Sequence, residues 1–277
     1  MGLKQLFSPV KSMDSDEARR FIESNDDGTF TIIDVRQPAE YEEYHIPGAM
    51  LIPLPELHNS IDQLNPEIPV IMQCAVGGRS LVAAKLLSGY GFKEVYNLKG
   101  GIKAWRGLKA VGPKELNLDL VRGDETAAEI VALTYDMEDC LQIFYKEMRD
   151  RAEDQEVREV FGKLASIEEK HKRTILELSA RVESAGTGRD TNEADRDRLI
   201  LEGGFDMAEF IEQNEPNMKT VPDVIELAMM LETQALDLYL RFAHKSVNVE
   251  TKEVLFKIAQ EEKTHLAALG VLLEEKI

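Results

Sequence analysis

A chain of 277 residues that is 43% hydrophobic is long enough for two folded domains and too apolar to be largely disordered. Its net charge of −18 is unevenly placed, with 12 basic and 14 acidic side chains in residues 1–110 against 21 and 37 in the remainder. So acidic a surface argues against nucleic-acid and membrane partners, and two cysteines, Cys74 and Cys140, neither in a CxxC pair, exclude a disulfide framework or a thiolate metal site.

The opening stretch, MGLKQLFSPVKSMDSDEARR, has no basic and apolar leader, and no apolar run approaches the length that crosses a bilayer, so a soluble cytoplasmic protein is expected. FTIID (30–34), AMLIP (49–53), PVIMQC (69–74) and EVYNL (94–98) read as short buried strands, with DSDEARRFIES and SLVAAKLLSGYG as helices among them. Asp14 and Glu17 form a capping pair for the first helix. This alternation predicts an α/β domain with a mainly parallel sheet over residues 1–110. LKAVGPKELN breaks either periodicity at Gly112-Pro113, which places a linker at 111–117.

Cys74 ends the third strand and opens the turn CAVGGRS. Glycines let backbone N–H groups converge there, and the start of the next helix adds positive potential. Such a nest holds an anion and lowers the pKa of a thiol inside it. Cys74 is thus a candidate thiolate nucleophile, and Arg79 a fixed positive charge for an oxyanion. Ala75, Val76, Gly77, Gly78 and Ser80 form the candidate substrate-binding loop. Standing alone, Cys74 reads more readily as a buried structural cysteine.

It does not stand alone. DVRQPAEYEEYHIPGAMLIPL (34–54), CAVGGRS and NLKGGIKAWRG (97–107) resemble, in order and spacing, the rhodanese family. Asp34, Arg36, Glu40, Tyr41, His45, Gly100, Gly101 and Trp105 are framework positions of that match. The resemblance implies that Cys74 takes sulfane sulfur from thiosulfate or a small persulfide, holds it as a persulfide among backbone amides, and passes it to a thiol or cyanide. From Cys74 to Arg79 the loop counts six residues, as in sulfurtransferases, whereas related phosphatases use a longer loop for phosphate or arsenate.

From Leu118 onward the strand signals stop. Segments at helical period cover 124–151, 154–183, 221–245 and 249–275, with a polar connection SAGTGRDTNEADRDR and a short helix near FDMAEFIEQ. They predict an all-α four-helix bundle with a long crossover over residues 118–277. This half repeats itself at an offset of 94: Leu133, Met137 and Leu141 become Leu227, Leu231 and Ala235, while Glu138 and Tyr145 become Glu232 and Tyr239. At the same offset Glu168-x-x-His171 becomes Glu262-x-x-His265, with Leu164 and Ile258 one turn earlier directing that face to the core.

One ExxH in a helix rich in Glu and Lys reads as a solvated face. Two copies, each 30 residues after a core-facing Glu, read differently. Four carboxylates buried without counter-charge would cost more than a small domain's stability, and two divalent ions balance them. Mixed carboxylate and imidazole donors suit iron or manganese. A bundle that keeps its symmetry for packing alone is the rival reading.

Residues 118–277 resemble a ferritin-like di-iron domain of the rubrerythrin type. The resemblance implies two iron ions, or manganese, held by Glu138, Glu168, His171, Glu232, Glu262 and His265, with Glu168 and Glu262 bridging and Tyr145 and Tyr239 supporting the ligands. It implies oxidoreductase chemistry on peroxide or oxygen, no organic cofactor, an external electron donor and a homo-oligomer, as a dimer. An additional carboxylate that such proteins often carry one turn before the third-helix ligand is Met229 here, and a rubredoxin tail is absent.

Cys140 falls about 200° around its helix from Glu138 and reads as packing; His45, His58, His244 and Trp105 receive no chemistry. The expected protein is a sulfurtransferase fused to a di-iron domain. The alternative is a sulfur carrier or sensor, without turnover, joined to an iron-binding or oxidant-sensing bundle.

Overall fold

The computed structural model describes residues 10–183 and 199–276, with the side chains of 179–183 left aside. The polar connection at 184–198 and the first nine residues of the opening stretch lie outside the described residues. The chain divides after Leu116 into two compact units.

The first unit runs β1 (Lys11–Met13), α1 (Ser15–Glu23), β2 (Thr31–Asp34), α2 (Pro38–Glu43), β3 (Met50–Leu51), α3 (Leu57–Ser60), β4 (Val70–Gln73), α4 (Gly78–Gly89), β5 (Val95–Leu98) and α5 (Gly101–Ala104). Asp14 and Glu17 complete the capping box of α1. The sheet is parallel throughout, in the order β1-β5-β4-β2-β3. Alternate residues of the central strands feed opposite faces. Ile32 and Ile71 join Ala18, Tyr41 and Trp105, while Ile33, Val70 and Met72 join Leu57, Ala84 and Leu87.

Two strands differ from the sequence pattern. The run at 49–53 forms ladder pairs only at Met50 and Leu51, although Ile52 N and Leu54 N still donate to Asp34 O and Val35 O beyond them. β1 is three largely exposed residues that pair with β5 at the sheet edge, too short and polar to show a hydrophobic period.

The second unit comprises α6 (Ala127–Arg151), α7 (Gln155–Glu183), α8 (Met207–Asn214), α9 (Val221–Lys245) and α10 (Val249–Glu274). Thr126 with Glu129 and Thr220 with Asp223 build capping boxes that start α6 and α9. α6 packs along α7, and α9 along α10. From Leu231 to Ala243 every residue of α9 is buried, so this helix forms the bundle's interior rather than one of its faces. Among the described residues no helix is long and apolar enough to cross a membrane.

Candidate functional site

β4 ends at Gln73, so Cys74 stands just beyond the carboxyl edge of the parallel sheet, where open α/β sheets place ligands. Its side chain is buried. The Gly77 amide donates to Sγ at 3.1 Å, and Ser80 Oγ lies 3.3 Å from the same sulfur. Burial pushes the Cys74 thiol up, but the Ser80 hydroxyl and the amides of Ser80, Val76 and Gly77 outweigh it and leave the thiol below its ordinary value. Ser80 Oγ also lies 2.6 Å from Asn97 Oδ1. Because a hydroxyl has one proton, Asn97 and the sulfur compete for it, which couples the charge on sulfur to β5.

The loop is pinned from outside by α5. Ile102 N donates to Cys74 O at 2.8 Å and Lys103 N to Ala75 O at 3.1 Å, so the loop's carbonyls turn outward and its amides inward. This close approach requires glycine. Gly101 adopts φ +58, and a Cβ on it would collide with Cys74 O and stand 2.7 Å from Val76 N. Gly77, the residue before α4, is also left-handed at φ +92. Val76 is 62% exposed, so its amide and not its side chain belongs to the nest.

Arg79 is held by a residue 39 positions earlier. Its guanidinium donates to Glu40 at 2.7 and 2.6 Å, and this contact holds the Glu40 carboxyl down to about 2. Glu40 is placed by α2, which Arg36 anchors: Arg36 pairs with Asp34 and donates to Glu40 O and Tyr44 O, both at 2.7 Å. The framework residues thus serve the loop indirectly. Tyr41 stacks on His45 at 3.7 Å and donates to Ala49 O, which fixes the far end of α2.

In the second unit the repeat closes into two facing half-sites. His171 Nδ1 lies 2.6 Å from Glu168 and 3.7 Å from Glu138; His265 Nδ1 lies 3.1 Å from Glu262 and 3.7 Å from Glu232. The two imidazole rings stack with centroids 3.3 Å apart. Donor atoms of Glu138, Glu168 and His171 fall within 4.8 Å of one another, as do those of His171, Glu232 and His265. All four carboxylates are at most 2% exposed.

These residues fit a metal centre because their buried atoms are left unsatisfied. Among the described residues Oε2 of Glu138, Glu168 and Glu232 has no hydrogen-bond partner, nor does Tyr145 Oη, and His171 Nδ1 faces Glu168 outside hydrogen-bonding geometry. Burial pushes Glu138, Glu168 and Glu262 well above the usual carboxylate range. It acts on Glu232 too, but the neighbouring His265 imidazole and Glu262 carboxyl outweigh it and bring that residue down. Ionised carboxylates at these depths cost several kcal/mol each without a cation. A cavity bordered by Ile175, Ile258, Glu261 and the two histidines opens beside the cluster.

A further carboxylate, Glu202, reaches the cluster from the connection between α7 and α8. One of its oxygens lies within 4.8 Å of Glu138 and Glu262. Nothing in the 94-residue repeat points to it. Tyr239, paired by the repeat with Tyr145, donates to Glu202 at 2.9 Å. Cys140 is half-buried among core side chains and its thiol is raised by burial, as a packing role requires. His58 meets Tyr90 at 2.6 Å on the surface of the first unit, and Trp105 is buried with Nε1 donating to Leu108 O.

Residues 15–108 match the family model of the rhodanese-like domain, and residues 129–273 match that of rubrerythrin. The chain is 37% identical over 75 residues to thiosulfate sulfurtransferase GlpE of Ectopseudomonas mendocina (strain ymp), which covers 27% of this chain and 69% of GlpE. It is 45% identical over 76 residues to the uncharacterized protein YqhL of Bacillus subtilis (strain 168), covering 27% of this chain and 60% of YqhL, so it spans less than two thirds of that relative's own length. The crystal structure of a rhodanese-like domain protein from Staphylococcus aureus matches at 31% identity, over 35% of this chain and 91% of that one, with a TM-score of 0.32.

Proposed function

Because the chain belongs to the rhodanese-like family over its first unit and to the rubrerythrin family over its second, we propose that it is a sulfurtransferase that forms a persulfide on Cys74 and is fused to a di-iron oxidoreductase unit. The observation that carries the first half is the Cys74 sulfur inside a ring of donors, with Gly77 N at 3.1 Å and Ser80 Oγ at 3.3 Å. A thiolate so held is a nucleophile at neutral pH. It attacks the outer sulfur of thiosulfate; a new S–S bond forms, the old one breaks, and sulfite leaves with the electron pair. The inward amides then hold the negative persulfide. An acceptor thiolate attacks its outer sulfur, takes that sulfur away and returns Cys74 as a thiolate.

In the bundle Glu138, Glu168, His171, Glu232, Glu262 and His265 would hold two ions. Iron bound there supplies electron transfer toward peroxide or oxygen, with manganese the other ion suited to these donors. The chain's own groups exclude bulk water and hold protons. Burial keeps the Tyr145 hydroxyl protonated, well above its ordinary value, beside Glu168 and Glu138. The partners this reading requires are a small sulfur donor, a thiol acceptor and an external electron donor.

The test is to treat anaerobically purified protein with thiosulfate and determine both persulfide by mass spectrometry and metal by elemental analysis. One sulfur added at Cys74 and about two metal ions per chain, one for each repeated donor set, are expected. Persulfide of equal yield in Cys74→Ser would refute the first half, and metal-free, well-folded protein the second.

A further inference from the structure

The repeat that relates Glu138 to Glu232 and Glu168 to Glu262 has no place for Glu202, yet this residue is 0% exposed. Tyr239 satisfies its Oε1 at 2.9 Å, while Oε2 has no hydrogen-bond partner among the described residues. A carboxylate placed among Glu138 and Glu262, within 4.8 Å of both, is opposed by desolvation and by like charge unless a cation joins them.

The backbone is shaped to deliver it. Leu201 N donates to Phe205 O at 2.7 Å and Gly204 N to Leu201 O at 2.9 Å, closing a tight turn with Glu202 at its inner side. Gly203 and Gly204 stand at φ +81 and +86, in the left-handed region that favours glycine. Asn117 Nδ2 clamps the turn by donating to Gly203 O at 3.0 Å, and a Cβ on Gly204 would collide with that Asn117 side chain.

We infer that Glu202 is a fifth carboxylate ligand of the bundle's metal centre, binding the ion nearest Glu138 and Glu262 through the oxygen that no described residue satisfies. The assignment rests on reading the bundle as a two-metal centre. It makes the two half-sites unequal, since Tyr239 fastens Glu202 while the repeat-related Tyr145 hydroxyl has no partner among the described residues. Five carboxylates exceed the charge of two divalent ions, so the added ligand favours tighter binding at one position, or an ion of higher charge there.

The full chain and its Glu202→Gln and Tyr239→Phe variants, stripped of metal, are titrated anaerobically with Mn(II) alone, by calorimetry and by electron paramagnetic resonance of the free ion. Wild type should bind two ions. Glu202→Gln should bind one as before and the other at least about 10-fold more weakly, while Tyr239→Phe, which keeps the carboxylate, should lose less. Metal-free Glu202→Gln should melt above metal-free wild type, because an uncompensated buried acid has gone. Unchanged affinities in folded Glu202→Gln would overturn the assignment. Equal weakening in Tyr239→Phe would also overturn it, leaving Glu202 only to hold the tyrosine. Absence of Mn(II) binding to folded wild type would overturn the two-metal reading itself, and this assignment with it.

Discussion

Arg79 and Glu40 grip each other through two hydrogen bonds of 2.7 and 2.6 Å at the rim of the Cys74 loop. The guanidinium charge that sequence reasoning reserved for an oxyanion is therefore already engaged. Arg79→Met should lower kcat/KM for thiosulfate by about 10-fold, as loss of a charge-assisted contact does, whereas Cys74→Ser leaves no transfer. The pair also carries an acid signature. Glu40 is depressed from 4.5 to about 2, so its stabilisation is present above the unfolded value and is lost as pH falls through that window. The acid-induced fall in melting temperature between these two values should be shallower in Arg79→Met. Coincident melting curves across that range would show that the pair is severed in solution.

Ser80 tunes the nucleophile. With its hydroxyl removed, desolvation of Cys74 stays and one opposing donor goes, so the thiol pKa rises. Measured as the pH dependence of alkylation by iodoacetamide in a Cys140→Ser background, the midpoint in Ser80→Ala should move up, because one hydrogen bond to the charged sulfur is gone. An unmoved midpoint would assign the thiolate to the amides of Gly77, Val76 and Ser80 alone.

The bundle's metal depends on the ExxH glutamates. Glu168→Ala/Glu262→Ala should retain almost no metal yet keep the helices, since removing buried acids that only a cation compensates does not weaken the apolar core. Persulfide formation on Cys74 should be unaffected in the double variant. Wild-type metal content in it would move the centre elsewhere.

The six repeated ligands were legible because an internal offset of 94 places matching donors on core-facing positions, a pattern carried by the helices' own periodicity. The same logic fails for Glu202. It sits on a turn, has no copy, and approaches Glu138 only when the chain folds back across the crossover. One turn before Glu232 stands Met229, which packs half-buried against the core and supplies no carboxylate. Glu40 was visible as a framework residue, but its hold on Arg79 joins positions 39 apart that only the parallel sheet brings together. The Cys74 loop was readable because strand, glycines and helix are contiguous. That Ile102 and Lys103 of α5 restrain it from a distance was not.

That restraint yields the sharpest test of the loop. Gly101 lies where the first turn of α5 meets the Cys74 carbonyl, and a methyl group there would strike backbone atoms of Cys74, Ala75 and Val76 rather than a movable side chain. The residue is also left-handed at φ +58. Strain of about 1 kcal/mol from the backbone alone adds to displacement of the loop, so Gly101→Ala should lower the melting temperature of the first unit by several degrees. Its effect on chemistry should be larger. Shifting the amides by about 1 Å costs on the order of 100-fold in a positioned reaction, so sulfur transfer should fall steeply and the alkylation midpoint of Cys74 should rise, as donors leave the thiolate. Metal content should stay at the wild-type level, because the substitution touches only the first unit. Wild-type transfer by Gly101→Ala would mean that α5 does not set the loop, and that the contiguous run from Cys74 to Ser80 holds its shape unaided.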